Sequence, residues 1–296
     1  MLSFEELYSG VYLLKVPFSG LWTGVVLIRG DENCLIDSGA KDTDVDRYML
    51  PALAELGMDL SSIKWLLNTH SHGDHIGGHA RIRNLANLKV AAHVSSAPKV
   101  TDPVPYAIET RTKFPEHSPA PQVYLQGVPV DRVLEDGEVI AGRLQVIHTP
   151  GHDDDCVCWY DLQTKTLITG DSLQGNGTPA QGIGFYKNLE AYCSSLRKLQ
   201  QLPIEHIVCG HDYDEIGWNI SGADAVNGAL QRCADAVQRY HAFILHRYQE
   251  GLTDPVEIAL ELIRTHGCAM PERLFLALYT VTQHLEEIKQ NEFLKS

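Results

Sequence analysis

The 296-residue sequence predicts a layered α/β domain followed by a helical tail. Two observations lead to that class. Short β-rich runs alternate with helix-period segments through the first two thirds of the chain, whereas from Ala223 onward the pattern is helical throughout. In addition, several β-runs end in glycine or a tight turn followed at once by His or Asp, as expected where strand ends converge on one sheet edge.

The elements follow in order. Residues 11–16 (VYLLKV) and 24–28 (GVVLI) are strands, and 29–33 supply the turn before a third strand that ends at Asp37. Leu50, Leu53, Ala54 and Leu56 recur at helical spacing, and Gly57 closes that helix. A strand over 63–67 runs into a histidine cluster, a helix is expected from about Ile76 to Leu85, and 90–94 is the next strand. Seven of the fourteen prolines fall between 98 and 129, a density expected to exclude regular helix and central strand. Residues 98–130 are therefore read as a lid-like surface excursion containing Tyr106, Phe114 and Tyr124. Strands resume at 144–148, 157–160, 166–169 and 206–209, with a helix over 189–199. In the tail, Asp254-Pro255-Val256-Glu257 has the form of a helix start, and Met270-Pro271-Glu272 is expected to open the last helix. The division is thus an α/β domain over 1–222 and a helical extension over 223–296.

Composition narrows the function. A hydrophobic fraction of 44% and a charged fraction of 21% suit a globular protein, and no apolar run is long enough for a membrane-spanning helix. The acidic start lacks the form of a secretory signal, so a cytoplasmic location is expected. Seven cysteines without a CxxC pair do not suggest a disulfide framework; Cys156 and Cys158 read as small buried hydrophobes. A net charge of −14 argues against a nucleic-acid partner. A small-molecule substrate is expected, and the helical tail leaves two roles open, capping the site or forming a homodimer.

Chemistry concentrates in THSHGDHIGG, residues 69–78, where His70, His72, Asp74 and His75 follow a strand within six positions. A strand end and a tight turn can fan His70 and His72 around one cation while Asp74 and His75 face a second. Imidazole with carboxylate suits zinc, manganese or iron rather than calcium. His152 follows its strand through Thr149-Pro150-Gly151, Asp171 through Gly170 and His211 through Gly210. Each alone is an ordinary structural feature; together they predict one metal centre.

With these residues the sequence resembles the metallo-β-lactamase superfamily over roughly residues 10–215. THSHGDHIGG, the TPGH ending at His152, the TGD ending at Asp171 and the CGH ending at His211 match its successive metal motifs in order. The resemblance implies an αββα sandwich of two packed sheets with helices outside. It also implies that His70, His72 and His152 bind one metal, that Asp74, His75 and His211 bind another, and that Asp171 bridges them. Two divalent ions are expected, zinc first, with manganese or iron as alternatives. Asp37 resembles the aspartate that supports the metal loops, the other reading being a surface carboxylate at a strand end.

The activity implied is hydrolysis by a metal-bridging hydroxide, oriented by Asp74 as catalytic residue, that cleaves a thioester, lactone or related ester. Zinc β-lactamases generally carry Cys or Ser where Asp171 stands, which turns the reading toward glyoxalase II-like and lactonase-like branches. The glutathione motif expected after the bridging aspartate is not evident in residues 172–186. A mononuclear iron sulfur dioxygenase and a non-catalytic regulatory member of the fold are the alternatives. Tyr106, Phe114, Phe185 and Tyr186 are the candidate substrate contacts, since aromatic lining suits an apolar acyl or lactone group. His79, His93 and His148 are read as structural, and His117 in the excursion is a weaker substrate candidate.

Overall fold

A computed structural model describes residues 2–293; position 1 and positions 294–296 of the tail lie outside the described residues. Seven strands form the first sheet in chain order. They are β1 (Glu5–Tyr8), β2 (Val11–Phe18), β3 (Leu21–Ile28), β4 (Asn33–Ile36), β5 (Ile63–Leu67), β6 (Lys89–His93) and β7 (Arg132–Leu134). The first four pair antiparallel; β4 through β7 run parallel, because each crossover passes through a helical segment or the excursion. The second sheet has six strands in the order β13-β12-β11-β10-β9-β8. Its members are β8 (Val139–Ile140), β9 (Leu144–His148), β10 (Val157–Asp161), β11 (Thr166–Gly170), β12 (His206–Tyr213) and β13 (Gly217–Ser221). The pair β11–β12 is parallel and the rest antiparallel.

Alternation along the strands builds four layers. Leu13, Val26, Ile36 and Leu67 face Val146, Trp159, Ile168 and Val208 of the other sheet in an apolar inter-sheet core. The intervening side chains Leu14, Val25, Leu27 and Leu35 turn outward beneath the helical run 42–55 and a helix over His79–Leu85. On the far side, Cys158, Leu167, Ile207 and Cys209 meet the helix Leu189–Leu199 and the tail helices. The result is the expected αββα sandwich. Away from the ligand-bearing strand ends, Arg143 ties the sheets together. Its guanidinium grips the buried Asp161 at 2.6 Å and donates to the carbonyls of Ser9 and Arg29 at 2.9 and 2.8 Å.

Three expectations need correction. The proline-rich segment is not devoid of helix: Ala97–Thr101 and Pro103–Thr112 are helical and a 3-10 turn spans Pro115–His117. Each helix takes its prolines in the first turn, where the missing N–H has no partner to lose. The helix expected from Ile76 is broken into Gly73–Ile76 and His79–Leu85, because Gly77 and Gly78 pass close to the backbone of the 38–40 turn. The last helix begins at Phe275, after Met270-Pro271-Glu272.

The tail, helices Ala223–Gln249, Pro255–His266 and Phe275–Phe293, shares one core cluster with the second sheet. It also holds the loop 172–187. The Tyr240 hydroxyl donates to Asn176 Oδ1 at 2.7 Å and accepts from the Gly184 amide, while Thr280 donates to the Gly184 carbonyl and accepts from the Tyr186 amide. Among the described residues no helix is long and apolar enough to cross a membrane. All seven cysteines are free.

Cutting the chain after Gly222 should therefore expose the outer face of the second sheet and release loop 172–187. The fragment is expected to be insoluble or to lack fixed tertiary structure by near-UV circular dichroism. A soluble, cooperatively unfolding 1–222 fragment would contradict this packing account.

Candidate metal centre

The ends of β5 and β11 with the turns after them, the turn after β9, and the irregular last part of β12 at His211 bring all seven predicted ligands to one sandwich edge. Asp171 lies between two groups. One comprises His70, His72 and His152, the other Asp74, His75 and His211, and within each group the potential ligand atoms lie within 4.8 Å of one another. Asp171 Oδ2 is 3.5 Å from His152 Nε2 and 4.0 Å from His70 Nε2. Its Oδ1 is 3.3 Å from His75 Nε2 and 3.5 Å from His211 Nε2. One carboxylate thus presents one oxygen to each group. His211 Nε2 also lies 3.2 Å from Asp74 Oδ2, and His72 Nδ1 lies 3.1 Å from His152 Nε2.

Every imidazole is held by its other nitrogen, which fixes the nitrogen left for coordination. His75 Nδ1 donates to Asp37 at 2.8 Å, His152 Nδ1 to the Phe185 carbonyl at 3.0 Å, and His211 Nδ1 to the Trp22 carbonyl at 2.7 Å. His70 Nδ1 faces the Thr69 hydroxyl at 3.2 Å, and that hydroxyl donates onward to Asp37. His72 is reversed. Its Nε2 is held by Asp153 at 3.1 Å, so its Nδ1 faces the centre. The inward atoms His70 Nε2, His75 Nε2 and Asp171 Oδ1 are buried with no hydrogen-bond partner among the described residues. Orphaned polar atoms converging on a point are costly without a partner and fit divalent cations.

The charge states are consistent with that fit. Burial, reinforced by His75 and His72, holds His70 well below the ordinary imidazole value, and burial takes His152 down to about 3. Burial disfavours charge on His75 too, but Asp171, Asp74 and Asp37 outweigh it and raise His75 well above its usual value. Against the same burial, Asp171 and Asp74 raise His211 to about 10. Asp171 and Asp74 therefore concentrate negative charge in this half of the site, which protons on His75 and His211, or a bound cation, would balance.

Asp37 settles into the supporting reading. It is buried, in the left-handed region with φ 63°, and its carboxylate accepts from the Thr69 amide, the Thr69 hydroxyl and His75. Asp153 and Lys187 are functional neighbours that sequence reading missed. Lys187 Nζ donates to Asp153 at 2.5 Å and to the Tyr106 hydroxyl at 2.7 Å. Asp153 adjoins His152, but in the run Asp153-Asp154-Asp155 nothing in the sequence distinguishes the residue that turns inward.

A cavity of about 800 Å³ opens over the cluster. Tyr106 and Phe185 line it, and so do His72 and Asp74 on its floor. Phe185 stacks parallel to the His72 ring, 6.2 Å between centroids. The other two aromatic candidates do not reach it. Tyr186 is buried in the core, stacked on Tyr192 with its hydroxyl 2.7 Å from His284, because residue 186 points to the opposite side of the chain from 185. Phe114 packs edge-on against Tyr279 behind the wall. His79, His93 and His148 are structural: His79 meets Ser38 Oγ at 2.7 Å, and His93 stacks on His148. His117 is not on the cavity wall.

A family model described as the Metallo-beta-lactamase superfamily matches residues 23–211, and the chain belongs to that superfamily. A Beta-lactamase-like protein 2 homolog of Drosophila melanogaster is 27% identical over 273 residues, covering 90% of this chain and 81% of its own. A Hydroxyacylglutathione hydrolase of Cereibacter sphaeroides is 30% identical over 186 residues, 60% of either chain. Among solved structures, a metallo-beta-lactamase family protein of Thermus thermophilus superposes with a TM-score of 0.75 at 25% identity, over 97% of this chain and 95% of that one.

Asp37→Ala should free the His75 ring and leave Thr69 without its acceptor. Metal affinity, measured by competition with a chromophoric chelator, is expected to fall about 10- to 100-fold. Unchanged affinity would remove Asp37 from the supporting role.

Proposed function

We propose that the chain is a binuclear metal-dependent hydrolase that cleaves a thioester, lactone or related ester. The observation that carries this reading is Asp171, whose two oxygens face two separate ligand groups at the floor of a cavity walled partly by aromatics. Its kinship with a hydroxyacylglutathione hydrolase supports an acyl-transfer substrate.

When bound, the cations would lower the pKa of water toward neutrality and polarise a carbonyl; zinc heads the choices, with manganese or iron as alternatives. The protein's own residues do the rest. Asp74 reaches both His75 and His211, and its side chain remains 15% exposed and lines the cavity, so its carboxylate can orient the attacking water as well as bind metal. Thr23 Oγ1 donates to Asp74 Oδ2 at 3.5 Å and helps hold that carboxylate. Asp153 keeps His72 in the tautomer that presents Nδ1, and Lys187 neutralises Asp153. Tyr106 and Phe185 offer the acyl group an amphipathic wall. A small-molecule substrate fits this cavity, and the tail caps one side of it through Phe275 and Leu276.

The test combines metal analysis with a hydrolysis panel of thioester, lactone, β-lactam and phosphodiester. Two ions per chain and turnover of the thioester or lactone are expected, abolished by chelation and restored by zinc. Asp171→Ala should lower turnover on the order of 100-fold, the scale of losing one electrostatic stabiliser. Full activity after exhaustive chelation, or two ions still bound by Asp171→Ala, would reject the proposal.

A further inference from the structure

The cavity wall holds a cation that the reaction described above does not use. Arg111, near the C-terminal end of the helix Pro103–Thr112, is half-buried and lines the cavity. Its Nε is enclosed without a hydrogen-bond partner. Among the described residues the guanidinium makes no hydrogen bond or ion pair; it rests on the Phe275 ring, 4.3 Å from the centroid. The other cations nearby are committed or solvated. Lys187 is engaged by Asp153 and Tyr106, Lys99 by Asp153, Asp154 and Asp155, and Lys41 and Arg273 lie exposed at the mouth, where an unpaired charge costs little.

An arginine keeps its charge at any ordinary pH, so enclosing it even in part with its Nε donor unsatisfied carries a cost. A bound carboxylate or phosphate removes that cost with two parallel charge-assisted hydrogen bonds. Position supports the same conclusion. Phe275 belongs with Phe185 and Tyr279 to one aromatic cluster, and Phe185 packs edge-on to the ring of His152 at 4.7 Å. An aromatic strip thus leads from the metal ligands to the guanidinium. Asp171 and Arg111 line one cavity, so a substrate placed at the ligand cluster can extend to Arg111 within it.

We propose that Arg111 is a specificity-determining residue that binds an anionic group, a carboxylate or phosphate, on the part of the substrate remote from the scissile bond. This rests on the hydrolase reading for the word substrate, but the anion site is testable without turnover. The matched probes are pentanoate and glutarate, which differ only in the second carboxylate, and their thioesters of one thiol, with a phosphate-ended homologue as a third arm. In the native metal-loaded chain, glutarate should bind at least about tenfold more tightly than pentanoate by calorimetry, the scale of one hydrogen-bonded charge. The kcat/KM of the anionic thioester should exceed that of the neutral one by a similar factor. In Arg111→Met both ratios are expected to collapse toward one, chiefly through KM, and Arg111→Lys should retain part of the preference because it keeps the charge but not the fork. Whichever of carboxylate and phosphate shows the larger Arg111-dependent ratio identifies the natural group. Equal binding of glutarate and pentanoate by the native chain, with no gain for the phosphate arm, would overturn the proposal, and so would a preference that survives in Arg111→Met. Arg111-dependent glutarate binding with no ester cleaved would leave the anion site standing and defeat the hydrolase reading alone.

Discussion

The ligand-type residues come from both halves of the sandwich, and they meet because the two edges approach more closely than a side chain at the contact would permit. The limiting approach is that of Gly170, at the end of β11 in the second sheet, to Thr69, just beyond β5 in the first. Gly170 has φ +48°, and a Cβ there would collide with the Thr69 side chain. Its lack of a side chain lets Asp171 reach both His70 and His75, whose backbone belongs to the other half of the molecule. Thr69 is itself held by Asp37, so one buried carboxylate governs the position of the histidine turn and the surface against which Gly170 packs. The inter-sheet core of Leu13, Ile36, Leu67, Trp159 and Ile168 supplies the apolar contact that makes this approach stable.

Around that contact the polar residues form a graded set. Innermost are the atoms left free to coordinate. Behind them stand acceptors that fix each imidazole: Asp37, Asp153 and the carbonyls of Phe185 and Trp22. Behind those stand the groups that hold the acceptors, with Lys187 on Asp153 and the tail residues Tyr240 and Thr280 on the loop that carries Phe185. The C-terminal helices thus brace the loop behind the ligand cluster, and none of the seven predicted ligands lies in them. The helices reach that loop through the backbone of residues 184–186.

The excursion after β6 contributes differently. Its prolines set the starts of two short helices, and the second of these carries Tyr106 and Arg111 over the cavity. Tyr106 is drawn to the polar side, toward Lys187 and His72, whereas Arg111 leans on Phe275. Along one helix face the wall changes from hydrogen-bonding to cationic and aromatic, a gradient suited to a ligand with a reactive end and a charged end.

Most of the strands and the cluster of ligand-type residues were legible in the sequence from local rules, and the four-layer order came from the resemblance to the superfamily. Period-two alternation states which side chains face the partner sheet, and ligand-type residues after Gly at strand ends state where chemistry gathers. Three things were not legible. The helices of residues 97–112 were obscured by prolines, whose meaning reverses between a first turn and a helix interior. The assignment of Tyr186 and Phe114 to the cavity failed because aromatic residues serve cores and pockets alike, and only the direction of the chain separates 185 from 186. Asp153, Lys187 and Arg111 carried no distinguishing local pattern, since their roles come from partners 34 to 81 residues away, or from having none. The sequence alone therefore pointed to a cluster of metal-ligand residues and to their family, since those residues follow β-runs in a recognisable order, and the structure brings them together. The tertiary structure decided which nitrogen of each imidazole faces inward, what holds the other nitrogen, and which cation on the cavity wall has no hydrogen-bond partner among the described residues, because those depend on contacts between segments that only folding brings together.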